Sequence, residues 1–131
     1  MPTQQKRSVL VVDDFPAMRH SIRQLMETRG FGVVEACNGI EALDKLKNHS
    51  FDLIVSDLVM PEMDGFELCE SIKNDRRTSS VPVIVVSTQT DVRFIMRALK
   101  AGADDYIIKP VQGELLDKVL QRAFLSEDIK L

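Results

Sequence analysis

Four short, mainly apolar runs, each followed by polar or charged residues, constrain this chain more than any other feature. The runs cover residues 9–12, 53–56, 83–86 and 106–108, and the residues that follow them are Asp13 with Asp14, Asp57, Ser87 with Thr88, and Lys109. Continuous runs rich in β-branched residues are typical of parallel strands buried on both faces. Such sheets bind ligands beyond the carboxyl ends of their strands. Three carboxylates, a hydroxyl and an ammonium are therefore expected in one surface pocket, a site for a metal cation and a phosphoryl group.

Helical patterns alternate with these runs along the whole chain. Strands are predicted over 8–12, 31–36, 51–56, 82–87 and 105–108, and helices from Pro16 to Gly30, from Ile40 to Asn48, from Phe66 to about Asn74, over 91–101 and over roughly 112–125. Five strand–helix units with no linker predict a doubly wound α/β fold with a five-stranded parallel sheet in the order 2-1-3-4-5. We assign residues 8–125 to this domain, 1–7 to a polar N-terminal extension and 126–131 to a C-terminal tail.

The composition is that of a soluble globular domain and excludes several classes of protein. Of the 131 residues, 28% are charged and 44% hydrophobic, and the net charge of −3 argues against a nucleic-acid-binding protein. No apolar stretch approaches the ~20 residues that span a bilayer. Cys37 and Cys69 form no CxxC pair, so we expect reduced thiols with packing roles and a cytoplasmic location. The methionines are expected to pack in the core or in loops: Met18, Met26, Met60, Met63 and Met96.

Asp57 is the strongest candidate for a residue that accepts a phosphoryl group. It ends the central predicted strand, a loop containing Met60-Pro61 follows it, and a carboxylate is a competent phosphoryl acceptor. Asp13 and Asp14 would crowd it, and like charges at close range raise one another's pKa. A dication would relieve this repulsion, and ligands that are all oxygen favour Mg²⁺ or Mn²⁺.

These residues also resemble a known family. The motifs that carry the resemblance are Val11-Val12-Asp13-Asp14, Ser56-Asp57 with Met60-Pro61 and Asp64-Gly65, Val86-Ser87, and Tyr106 with Lys109-Pro110. In this order they resemble the receiver domain of two-component response regulators, the CheY-like family, from about Ser8 to Phe124. The resemblance implies a flavodoxin/CheY-like fold of five βα units and a signalling switch that catalyses only its own phosphorylation and dephosphorylation.

The resemblance also implies roles for individual residues. Asp57 would be the phosphoacceptor, and Asp14, Asp57 and the backbone carbonyl of Val59 would bind Mg²⁺, with Asp13 acting mainly through water. Lys109, aimed by a cis Lys109-Pro110 bond, and the Ser87 hydroxyl would contact the phosphoryl oxygens. Two further assignments are implied: Ser87 and Tyr106 form the switch, and the positions of Val59 and Gln89 tune the lifetime of the phosphorylated state.

The implied partners are other signalling proteins. The phosphoryl donor would be a sensor histidine kinase or a phosphotransfer protein, docking on the first helix around Pro16, Met18, Arg19 and Ile22. The output would be a separate protein, a fused effector domain or a phosphorylation-dependent dimer, reached through the fourth helix, fifth strand and fifth helix. Direct binding of nucleic acid or membrane by this chain is not expected.

Other interpretations of the same residues remain. Asp13 and Asp14 could act only as a favourable acidic pair at a helix N-terminus. A haloacid-dehalogenase-type phosphatase would need an aspartate two residues after Asp57, where this chain has Val59. A receiver-like docking module that works without phosphorylation is the second candidate function, although such modules usually lack one of the pocket residues that this chain retains.

Overall fold

A computed structural model of the chain describes residues 6–125, which form five strands alternating with five helices. The strands are β1 (Ser8–Val12), β2 (Gly32–Ala36), β3 (Leu53–Ser56), β4 (Val83–Ser87) and β5 (Asp105–Ile108). The helices are α1 (Pro16–Glu27), α2 (Gly39–Asn48), α3 (Gly65–Asn74), α4 (Val92–Lys100) and α5 (Gly113–Ala123). All strand pairs are parallel and the order is β2-β1-β3-β4-β5, which confirms the predicted fold. Within 6–125, no helix is long and apolar enough to cross a membrane.

Helices cover both faces of the sheet, so the strands bury residues on both sides. Leu10 and Val12 of β1 belong to the core under α2, α3 and α4. Their neighbours Val9 and Val11 belong to the opposite core under α1 and α5. Because successive side chains of a strand point to opposite faces, a strand in this position must be apolar at every residue. This explains the continuous apolar runs in the sequence.

Local signals in the sequence define the helix termini. Pro16 begins α1, where its missing N–H costs nothing. Asn38 caps α2 by accepting a hydrogen bond from the Glu41 N–H at 2.7 Å. Beyond the C-terminus of α1, Gly30 adopts a left-handed backbone with φ of 87°, a conformation that favours glycine. The helices therefore start and stop close to the predicted residues.

Some predicted boundaries were too wide. Strand β3 begins at Leu53 rather than residue 51, because its pairing with β1 starts at Val9 and Leu53. The preceding Asp52 exchanges two hydrogen bonds with Ser8: its N–H donates to the Ser8 carbonyl at 2.9 Å, and its side chain accepts from the Ser8 N–H at 2.8 Å. Helix α5 ends at Ala123 rather than residue 125. Residues 1–5 of the predicted N-terminal extension and the whole predicted tail, 126–131, lie outside the described residues.

Two packing predictions were wrong. Met96 is 64% exposed, because α4 buries Ala98 against the core and two residues along a helix point in nearly opposite directions. Cys37 is also exposed, whereas Cys69 packs in the core as expected and burial raises the pKa of its thiol to about 11. Both cysteines are free thiols. The remaining predicted methionines are buried or partly buried.

Candidate functional site

The carboxyl edge of the sheet brings the predicted site residues together. Asp13 and Asp14 follow β1, Asp57 follows β3, Ser87 ends β4 and Lys109 follows β5. Parallel strands with neighbouring registers end at the same edge, so residues from four separate parts of the sequence reach one place.

Three carboxylates form the floor and mouth of this site. Asp13, Asp14 and Asp57 each place a carboxylate oxygen within 4.8 Å of the others. Asp13 is fully buried, Asp57 is partly buried and Asp14 is exposed, so the cluster opens to solvent on the side of Asp14. The donor atoms of the cluster are all oxygens, which fits a hard divalent cation such as Mg²⁺.

Lys109 supplies the positive charge that balances part of this cluster. Its Nζ lies 2.9 Å from Asp13 Oδ2 and 3.4 Å from Asp57 Oδ2, and its side chain is only 7% exposed. The Lys109–Pro110 peptide bond is cis, as predicted. The Lys109 N–H also donates to the Ser87 carbonyl at 2.8 Å, which joins the ends of β4 and β5. The lysine is therefore held against the carboxylates by both its backbone and its side chain.

Asp57 lies in an environment that opposes its ionisation. Burial raises the pKa of its carboxyl group above the usual value; the ammonium of Lys109 opposes that shift, and the negative charge of Asp13 adds to it. The Leu58 N–H donates to Asp57 Oδ1 at 2.7 Å and stabilises the ionised form. A cation bound by the three carboxylates would offset the raised pKa and keep Asp57 ionised.

Gly65, which belongs to one of the motifs that carry the resemblance, is also a structural requirement of the site. A Cβ atom at Gly65 would lie 2.2 Å from the Asp57 carbonyl oxygen and 2.7 Å from the Leu58 Cα. The Gly65 N–H donates to the Leu58 carbonyl at 2.8 Å, so the N-terminus of α3 is in direct contact with the loop that carries Asp57. Any side chain at position 65 would push this loop away. Nothing in the local sequence reveals that contact.

Ser87 and Tyr106 both contact the backbone of Gln89. The Ser87 Oγ accepts a hydrogen bond from the Gln89 N–H at 3.1 Å, and the Tyr106 hydroxyl donates to the Gln89 carbonyl at 2.8 Å. Ser87 is buried, and Tyr106 is partly buried against the core under α2, α3 and α4. The two predicted switch residues are thus linked through one loop. Val59 lies on the opposite loop and is 61% exposed.

The helix face predicted to dock a phosphoryl donor needs correction. Ile22 is buried between α1 and the sheet and offers no surface to a partner. Arg19 is engaged in hydrogen bonds to Glu35 and to the Asp13 carbonyl. Pro16 is exposed, and so is the large apolar side chain of the neighbouring Phe15. The helical spacing of Ile22 and Met26 marks the core face of α1, whereas the docking role of Ile22 was implied only by the family resemblance.

Comparison with known proteins shows the family. The profile described as the response regulator receiver domain matches residues 9–121. The chain belongs to this receiver family. It is 40% identical over 124 residues to the probable transcriptional regulator ycf27 of Cyanidium caldarium, a match that covers 90% of this chain and 47% of that protein. The receiver therefore spans about half the length of the curated relatives it matches.

Solved receiver structures share its fold. The chemotaxis response regulator CheY4 of Vibrio cholerae matches with a TM-score of 0.84 and 32% identity, covering 91% of this chain and 99% of that one. The receiver domain of the sensor histidine kinase PA1611 from Pseudomonas aeruginosa PAO1 matches with a TM-score of 0.83 and 26% identity, covering 90% and 97% of the two chains. That structure has a magnesium ion coordinated in its active site cleft. Receivers of two-component systems are signalling switches that interact with histidine kinases and output effectors.

Proposed function

We propose that this receiver accepts a phosphoryl group on Asp57, in a Mg²⁺-dependent reaction, from a sensor histidine kinase or a phosphotransfer protein. The observation that carries the proposal is the meeting of Asp13, Asp14, Asp57 and Lys109 at one edge of the sheet. A structural acidic pair at the start of α1 would have no need of a third carboxylate and a buried lysine. We propose a cytoplasmic location for this reaction, in keeping with the proposed kinase or phosphotransfer partner.

Each residue of the site would have a separate role in the phosphoryl transfer. An oxygen of Asp57 forms the new bond to phosphorus while the bond from phosphorus to the donor's histidine nitrogen breaks, and that nitrogen keeps the electron pair and gains a proton. Asp14, Asp57 and the Val59 carbonyl would hold the cation, with Asp13 contributing mainly through water. When bound, Mg²⁺ supplies positive charge to the phosphoryl oxygens. Lys109 and the Ser87 hydroxyl would donate to the remaining oxygens.

Phosphorylation would change the surface through Ser87 and Tyr106. A phosphoryl group on Asp57 adds charge and acceptor oxygens beside the Ser87 hydroxyl, which would leave the Gln89 N–H to donate to it. The same loop carries the Gln89 carbonyl that binds the Tyr106 hydroxyl, so the two movements are coupled. The change would bias an existing equilibrium of α4, β5 and α5 rather than create a new state.

The surface formed by α4, β5 and α5 is suited to an output partner. Its exposed apolar residues are Val92, Met96 and Leu99 on α4, Ile108 on β5 and Leu115 on α5. We propose that this surface binds a separate output protein, a fused effector domain or a second receiver in a phosphorylation-dependent dimer. The greater length of the curated relatives favours a fused effector as one form of the output.

The experiment that tests the function is intact-mass spectrometry after incubation with acetyl phosphate. With Mg²⁺ present, we expect one phosphoryl group per chain, and with a chelator in its place we expect almost none. A docking module that works without phosphorylation would gain no mass under either condition. That result, obtained on folded protein, would contradict the proposal.

Val59 should lengthen the life of the acyl phosphate. Valine offers no hydrogen bond to a hydrolytic water, and its exposed side chain stands two residues from Asp57, whereas Gln89 can still donate or accept. Positioning of a reacting water typically contributes ~10²-fold when it is complete. With only one of two helpers missing, we expect Val59→Asn to accelerate decay by about tenfold. Decay is followed by the loss of phosphorylated mass over time.

Val59→Ala is the matched control for this prediction. It removes the bulk of valine and adds no hydrogen-bonding group, so it separates shielding from the orientation of water. Decay of Val59→Asn at the parental rate would show that Val59 is only a loop residue.

A further inference from the structure

Arg19 connects helix α1 to the backbone of the aspartate pair. Its Nη1 donates to the Asp13 carbonyl at 2.8 Å, and its Nε donates to Glu35 Oε1 on β2 at 2.7 Å. The side chain is 19% exposed and that of Glu35 is 25% exposed, so both groups are partly shielded from water. One guanidinium group therefore bridges the end of β1 and the edge strand of the sheet.

The carbonyl that Arg19 binds belongs to the peptide unit between Asp13 and Asp14. Asp13 is already held in place, since the Asp13 N–H donates to the Ala36 carbonyl at 3.1 Å and Asp13 Oδ1 accepts from the Phe15 N–H at 2.9 Å. Asp14 is exposed, and no side-chain hydrogen bond of its own orients it among the described residues. The Asp13 carbonyl and the Asp14 Cα belong to one planar peptide unit. The orientation of that carbonyl therefore sets the position of the Asp14 Cα, from which the side chain extends.

Glu35 is in turn held in place by two arginines. Arg23 Nη1 donates to its Oε2 at 2.5 Å, while Arg19 occupies the other oxygen. The charge-assisted bonds from Arg23 and Arg19 hold the pKa of Glu35 below its usual range, with burial opposing them. Glu35 thus stays ionised at neutral pH and fixes the plane of the Arg19 guanidinium.

We propose that Arg19 is a positioning residue for the cation site, which holds the Asp13–Asp14 peptide so that the Asp14 carboxylate faces Asp57. The inference rests on the proposed function, because it assumes that Asp14 binds Mg²⁺. Electrostatics alone predicts the opposite effect of removing Arg19, since loss of a nearby positive charge would strengthen the attraction for a dication. The sign of the change in Mg²⁺ affinity therefore separates positioning from simple charge.

The test is a calorimetric titration of the intact chain with Mg²⁺ at neutral pH, with Arg23→Gln as the matched control. Arg23→Gln likewise removes one positive charge and one bond to Glu35. The side-chain hydrogen bonds of Arg23 go to Glu27 and Glu35 rather than to Asp13 or Asp14. Groups that orient metal ligands typically contribute 10–100-fold to affinity, so we expect Arg19→Gln to weaken Mg²⁺ binding by roughly tenfold. We expect Arg23→Gln to stay within about twofold of the parent, because Arg19 keeps its own bonds to Glu35 Oε1 and to the Asp13 carbonyl in that variant.

Arg19→Lys distinguishes positioning from a merely structural role. Lysine can reach the Asp13 carbonyl but cannot bind Glu35 at the same time, so we expect partial rescue of Mg²⁺ affinity. Backbone amide spectra establish that each variant is folded. Affinity in Arg19→Gln equal to or tighter than in Arg23→Gln would overturn the inference and leave the proposed function standing. Absence of Mg²⁺ binding by the parent would overturn the proposed function and the inference with it.

Discussion

Replacing Asp57 with asparagine is expected to abolish phosphorylation while stabilising the folded apo protein. Asparagine has nearly the same shape but is a poor nucleophile, so incorporation from acetyl phosphate should fall to background. The pKa of Asp57 is raised in the folded protein, mainly by burial, so its ionised form costs folding free energy at neutral pH. Removing that charge should raise the midpoint of thermal unfolding measured in the absence of divalent cations.

The pH dependence of stability follows from the direction of this shift. Between the ordinary pKa of an aspartate and the raised pKa of Asp57, the folded state binds more protons than the unfolded state. The free energy of unfolding of the parent should therefore fall as pH rises through that window, and the variant should lack this component. Asp44→Asn, at an exposed position on α2, is the control and should phosphorylate normally. Normal incorporation in Asp57→Asn would show that another residue is the acceptor.

Replacing Lys109 with alanine is expected to destabilise the apo protein strongly. Lys109 and Asp13 form a buried ion pair at 2.9 Å, and removing one partner of such a pair typically costs about 3–5 kcal/mol. The low end applies here, because Asp13 keeps its hydrogen bond from the Phe15 N–H. Mg²⁺ should restore much of this stability by replacing the lost positive charge. Its addition should raise the unfolding midpoint of the variant by more than that of the parent.

The same variant should keep its affinity for Mg²⁺ and lose its response to a phosphoryl analogue. Removing a cation beside three carboxylates cannot weaken their attraction for a metal, whereas an analogue such as beryllofluoride loses one of its donors. Amide spectra of α4 and β5 report the response, and Lys100→Ala, an exposed position on α4, is the control. Abolished Mg²⁺ binding in Lys109→Ala would contradict the role assigned to this lysine.

The sequence predicts those parts of the site that depend on where strands end. Apolar runs fix the strands, a parallel sheet aligns their carboxyl ends, and Asp13, Asp57 and Lys109 follow directly from that geometry. Hydrophobic periodicity cannot tell which apolar residue of a helix contacts the sheet and which faces solvent. For this reason the packing role predicted for Met96 was wrong, since its side chain is exposed. The docking role of Ile22 was implied by the family resemblance and does not fit a side chain that is buried.

Two close contacts between helices and distant parts of the chain could not be predicted from the sequence. Glycine is required at position 65 because the Asp57 backbone approaches it closely. The role proposed for Arg19 depends on α1 and β2 lying close enough for Arg19 to bind Glu35. Each of these contacts depends on the packing of whole elements, which no local pattern encodes.

The most direct test of the central claim is to locate the phosphoryl group by peptide mapping of the parent protein. After reaction with acetyl phosphate and Mg²⁺, the acyl phosphate is trapped by borohydride reduction and the modified residue is identified by tandem mass spectrometry. We expect modification of Asp57 alone, and we expect it to be lost when a chelator replaces Mg²⁺. Modification of Asp13, Asp14 or a residue outside the site, or equal modification without Mg²⁺, would contradict it.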